Sequence, residues 1–365
     1  MPLVVASDSA AGCAAVLPDN ARVPWTRRTA LAILAATAAL GAAPERVAPP
    51  PIPALGLDVN LPAGAPPAEQ QRAFEAVRRT GVSLYALTLS WSAAEPAPGK
   101  YRIEELTRTV RLLRQSGARI HLDLPLVVGR VRDVPADLAS VAFDDSKLSL
   151  RLGRFLDALE PALRDSSTLS LGYEADVYFA DKPDELRAYR RLFDAAVHFL
   201  ARKIPRLDVG VTTRAPTESP SPEVAAALHQ RSPVLFYLYA PFDPDHLYQH
   251  RPPDAIEKDW KALLSRSGEH LVAFPEVSYS SSEENGSSPD RQADFVRRMR
   301  RLLASADGRR LLFARWVSWR DTEPAPAGAS DGERRHAAFL AHRGLQAPDG
   351  TPKPAWRTWV REAGP

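Results

Sequence analysis

Glu174 and Glu276 each stand at the C-terminal end of a short apolar run, in Leu-Ser-Leu-Gly-Tyr-Glu and Val-Ala-Phe-Pro-Glu-Val. Such runs read as buried strands, and an unpaired charge is costly to bury, so neither glutamate is packing material. Two carboxylates at strand ends are what cleavage of a glycosidic bond needs: one donates a proton, the other attacks the sugar or activates water. Other strand ends supply Trp91, Asp123, Tyr173, Tyr237, Tyr239, Trp316 and Trp319. Hydroxyls orient a sugar and aromatic faces cover the C–H side of a pyranose ring, so these residues are candidate substrate contacts. His121 alternates with Leu122 and Leu124 and is expected to face inward. Glu95 serves equally well as a loop anchor or a ligand contact. Asp321 and Glu323 lie in a Pro-rich stretch and are expected to be solvated. The Ser-rich run 278–288 is expected to be a flexible loop at the rim of the site.

Placing these side chains on one surface requires strands that all run the same way. Short apolar runs at 55–60, 82–89, 119–124, 168–173, 208–213, 234–239, 271–274 and 311–317 read as strands. Between and after them, helical patterns occupy 68–80, 103–116, 147–163, 184–203, 222–230, 255–267, 289–306 and 332–340. Eight strand–helix pairs predict an α/β fold, a single (β/α)₈ TIM barrel over residues 54–363, with its strand C-termini converging on one face. A closing helix at 352–362 would lay Trp356 and Trp359 against it. No Gly-x-Gly-x-x-Gly turn follows the first strand, which weighs against a dinucleotide-binding sheet.

Composition narrows the function. The chain has 365 residues, 45% hydrophobic and 25% charged, enough for a sizeable core. The net charge is +3 and the arginines are scattered among acids, so nucleic acid is not an expected partner. The single cysteine, Cys13, lies in the N-terminal tail, and no His, Asp or Glu cluster has metal-ligand spacing; no metal or cofactor is expected. Residues 1–43 read as a targeting segment, with Arg27 and Arg28 ahead of an Ala-rich apolar run. That run falls short of the ~20 apolar residues of a membrane span. Export is therefore expected, with membrane contact only through an uncleaved segment. Residues 44–53 are a stiff Pro-rich linker. A monomer is the expected state.

At the strand ends the chain resembles the clan of retaining (β/α)₈ glycoside hydrolases that includes cellulases, mannanases and β-galactanases. Trp91, Glu95-Pro96, Gly99 and Tyr101 resemble the stretch common after strand two of that clan. Gln292-Ala293-Asp294-Phe295 resembles the start of the helix after strand seven. Gly344-Leu345 and Asp349-Gly350-Thr351-Pro352-Lys353-Pro354-Ala355 resemble its closing segment. The resemblance implies that Glu174 is the general acid/base and Glu276 the nucleophile, with retention of configuration and a poly- or oligosaccharide substrate. It also implies that Tyr237 or Tyr239 orients Glu276. Tyr173 departs from the pattern, standing where the clan carries an Asn that contacts the sugar 2-hydroxyl. A phenol there reshapes that subsite or blocks it. The alternative reading is therefore a barrel that binds glycan or a cell-surface partner without turnover.

Overall fold

The computed structural model describes residues 53–362, apart from 62–64, 231, 247, 269, 306–309 and 324–329. The targeting segment and all but the last residue of the linker lie outside the described residues. Barrel strands β1 to β4 are Ala54–Leu57, Leu84–Thr88, Arg119–Asp123 and Thr168–Ser170. β5 comes in two pieces, Asp208–Gly210 and Thr212–Arg214; β6, β7 and β8 are Val234–Tyr239, Leu271–Val277 and Leu311–Trp316. All pairings between them are parallel, and β1 pairs with both β2 and β8. The ring closes at β5, whose first piece pairs with β4 and whose second pairs with β6. The interruption at Val211 lets one strand serve two neighbours. Gly210 makes the approach possible, because a Cβ there would meet the Val234 carbonyl oxygen at 2.6 Å.

Alternation along the strands sorts the side chains between two layers. Ala54, Leu84, Val234, Phe236, Ala273 and Phe313 fill the barrel interior. His121 faces inward among them, with its ring 5.0 Å from Phe236 and its nitrogens hydrogen-bonded to Thr168 and Asp123. Leu122, Leu169 and Val209 point the other way, under the surrounding helices. The closing helix Pro354–Arg361 packs along Pro289–Ala304, and Trp359 donates to Thr80 at 2.9 Å.

Several boundaries differ from the sequence reading. β4 ends at Ser170, although Leu171 and Gly172 still bond to β5, and Tyr173 pairs with a small hairpin, Val127–Val128 and Val131–Arg132. β7 runs on to Val277 across an irregularity. The helix expected at 147–163 is broken into Ser146–Ala158 and Glu160–Asp165, with Pro161 starting the second piece. The helix Ala175–Asp181 was not foreseen.

Candidate active site

Glu276 owes its direction to a β-bulge. Ala273 pairs with Phe236, and Glu276 pairs with Leu238, so three steps along β7 match two along β6. Without the extra residue, Glu276 would share the outward face of Phe274; with it, the carboxylate turns into the barrel mouth. Pro275 occupies the bulge, where a strand tolerates a missing N–H, and its carbonyl accepts a hydrogen bond from Arg315. Both Glu276 oxygens are engaged. Oε2 accepts the Tyr173 hydroxyl at 2.6 Å, and Oε1 accepts Arg343 at 3.0 Å.

Glu174 reaches the same mouth by another route. It heads the helix Ala175–Asp181 in a left-handed conformation, with φ at 50°. Such backbone costs a non-glycine residue about 1–2 kcal/mol, and strain of this kind is concentrated at functional sites. Arg214, from the end of β5, donates to Glu174 Oε1 at 2.9 Å. Burial is the largest influence on this carboxyl and pushes its pKa up, with Arg214 opposing and Asp176 and Glu276 adding to the rise. Asp176 accepts the Arg214 backbone N–H at 3.0 Å and the Ser219 hydroxyl at 2.6 Å, fixing the loop that carries Arg214.

Tyr173 precedes Glu174 in the chain and sends its hydroxyl to Glu276. Its backbone is clamped by the hairpin, donating to Val127 O at 2.9 Å and accepting from Gly129 at 3.0 Å. Its phenol is buried, and that burial, with Glu276 and Glu174 nearby, raises its pKa well above the usual tyrosine value. It is thus held as a neutral donor to Glu276. Beneath the mouth, Arg315 pairs with Asp58 just past β1. Burial raises the Asp58 pKa against the pull of Arg315.

Glu174 and Glu276 line one cleft of about 460 Å³, together with Arg214, Glu218, Leu238, Tyr239 and Ser278. Of the expected contacts Tyr239 reaches this lining, and the others are placed elsewhere. Asp123 is buried against His121, and Tyr173 stands behind Glu276. Tyr237 shares the outward face of β6 and packs on His229 and Phe274. Tyr239 follows the same parity, and its hydroxyl goes to Asp259 at 2.8 Å, not to Glu276. Trp91 is fully buried, stacked on Phe155 and donating to Glu95 at 2.8 Å. Glu95 in turn accepts Gly99 and Arg151, so it anchors its loop. Trp316 and Trp319 pack against Trp359 and Trp356 of the closing helix. Asp321, expected to be solvated, is buried and accepts Gly344 at 2.8 Å and Lys353 at 3.0 Å. The Ser-rich run is built into the fold: Ser280 is buried beside His250, and Asn285 holds the Tyr248 and Arg335 carbonyls.

Sequence reasoning missed Arg214, Arg343, Arg315, Asp58 and Glu218. The strand-end argument could have found Asp58 and Arg214. Arg343 follows the helix Asp331–Ala341, and only the folded chain returns it to Glu276.

No protein-family model matches the chain, and a search of curated proteins returned no match. Solved structures do resemble it. A GH5_18 structure from Streptomyces cattleya, in complex with GlcNAc, is 13% identical with a TM-score of 0.60, covering 85% of this chain and 79% of that one. A family 39 glycoside hydrolase from Bacteroides cellulosilyticus WH2 is 17% identical with a TM-score of 0.57; the match covers 87% of this chain and 65% of that one. The exo-beta-1,4-mannosidase Op5Man5 from Opitutaceae bacterium strain TAV5 is 15% identical with a TM-score of 0.58, over 86% and 59% of the two chains. At such identities the likeness is one of fold, and that fold is the (β/α)₈ barrel on which these glycoside hydrolases are built.

Proposed function

We propose that this protein is a glycoside hydrolase acting on a poly- or oligosaccharide by retaining double displacement. The observation that carries the reading is the pair of buried carboxylates from β4 and β7 in one cleft, one of them with a raised pKa. Glu276 attacks the anomeric carbon while the bond to the leaving oxygen breaks, and Glu174 gives that oxygen its proton. Glu174 then takes a proton from water, whose oxygen displaces Glu276 from the sugar. Tyr173 and Arg343 hold the attacking carboxylate through separate oxygens. Export under the direction of residues 1–43 would bring the barrel to extracytoplasmic glycans. The solved neighbours in complex with GlcNAc and Manb1-4GlcNAc support a carbohydrate ligand.

The Arg214–Glu174 contact favours a second reading, in which the cleft binds glycan without turnover, because a paired guanidinium opposes protonation of the acid. One experiment separates the two. Wild type, Glu174→Gln and Glu276→Gln are assayed on β-glucans, mannans and galactans, with product configuration followed by NMR. Hydrolysis with retention, lost in both variants, supports the first reading; equal activity in all three proteins sinks it. Saturable glycan binding with no hydrolysis by wild type supports the second.

A further inference from the structure

The proposed chemistry leaves much of the cleft lining unused. Beyond the two glutamates it runs between the loop after β5, which carries Glu218, and the loop after β6, which carries Phe242 and Tyr248. It ends at the helix Asp331–Ala341, which carries His336 and Phe339. Phe242 meets Tyr248 and Phe339 edge-on, with centroids 5.3 and 4.9 Å apart, and Tyr248 stacks with His336 at 4.5 Å. Residues from two distant parts of the chain thus make one aromatic wall. Phe242 lines the cleft and is only half-buried, so part of its surface is open.

Glu218 lines the same cleft. Its Oε2 accepts the Ala240 backbone N–H at 3.0 Å, and its Oε1, also buried, has no partner among the described residues. A buried polar atom without a partner is costly, and a ligand hydroxyl would satisfy it. Burial holds this carboxyl well above the usual carboxylate range, which makes it an acid with an O–H to donate. Asp243 and Asp245 add negative charge to the lining, which disfavours anionic sugars.

We propose that this part of the cleft is a second sugar subsite for an uncharged pyranose, its C–H face against Phe242 and a ring hydroxyl on Glu218. The proposal rests on reading the carboxylate pair as a glycosidase centre, yet its test is one of binding. Affinities for glucose, mannose, cellobiose and mannobiose are measured by calorimetry on the full chain carrying Glu174→Gln. One disaccharide is expected to bind at least about tenfold tighter than its monosaccharide. Phe242→Ala should remove that advantage and leave monosaccharide affinity unchanged, in protein whose far-UV circular dichroism shows it folded, while Phe242→Tyr restores it. Glu218→Gln, which keeps an N–H donor, should retain the advantage that Glu218→Leu loses. Equal affinity for mono- and disaccharides, or an advantage that survives Phe242→Ala, overturns the subsite. A disaccharide advantage in a wild-type protein that hydrolyses nothing overturns the catalytic reading and leaves the subsite standing.

Discussion

The ends of β4 and β7 present the same residue type to the same cleft and are built in opposite ways. β4 is only three residues long, ending at Ser170, and Glu174 follows beyond it in a left-handed turn that opens a helix. β7 is seven residues long and turns Glu276 inward by a bulge within the sheet. The partners differ as well. Glu174 has one cationic partner and a pKa raised chiefly by burial, whereas Glu276 has a phenol on one oxygen and a guanidinium on the other. Burial raises the pKa of one carboxyl, and the other accepts a hydrogen bond on each oxygen. Two carboxyls with distinct environments are what an acid and a nucleophile require.

The most severe test of this contrast is Glu276→Gln. It removes the proposed attacking group, and kcat/KM is expected to fall by on the order of 10⁴-fold or more. Glu174→Gln should cost less, about 10²–10⁴-fold, and should cost least with aryl glycosides whose leaving groups need no proton. If the two variants respond alike to leaving-group quality, the division of roles is wrong. Tyr173→Phe deletes a hydrogen bond to a charged acceptor, worth about 1.5–3 kcal/mol. A roughly ten- to hundredfold loss in kcat with KM little changed is expected; wild-type kinetics would show that the phenol does not hold Glu276.

The smallest effect concerns pH. Burial raises the Glu174 pKa and Arg214 lowers it. The acid must be protonated to act, so activity falls as pH rises through that pKa. Arg214→Gln removes the lowering influence and should move the alkaline limb of kcat/KM upward. A limb that stays in place, or moves down, would separate Arg214 from the acid.

Much of the barrel was legible before folding. β6 coincides with its expected span, because a fully buried parallel strand leaves an uninterrupted apolar run in the sequence, and β2, β3 and β8 differ only at their ends. Both glutamates were legible for the converse reason, as charges interrupting such runs. The aromatic candidates were not. Trp316 and Tyr237 occupy outward positions on their strands, and an apolar run in a strand buried on both faces carries no mark of which face is which. The Phe242–Phe339 wall joins segments about a hundred residues apart and left no local signal.

By itself, the sequence determined the alternation of strands and helices and the two strand ends that carry glutamates, since hydrophobic periodicity and the cost of a buried charge act locally along the chain. Tertiary structure decided how those glutamates are used. The bulge at Pro275, the hairpin that clamps Tyr173 and the return of Arg343 all depend on pairings between distant segments. Tyr173, read from the sequence as a sugar contact, becomes in the folded chain the hydroxyl that holds Glu276, because the chain leaves β4 before reaching it.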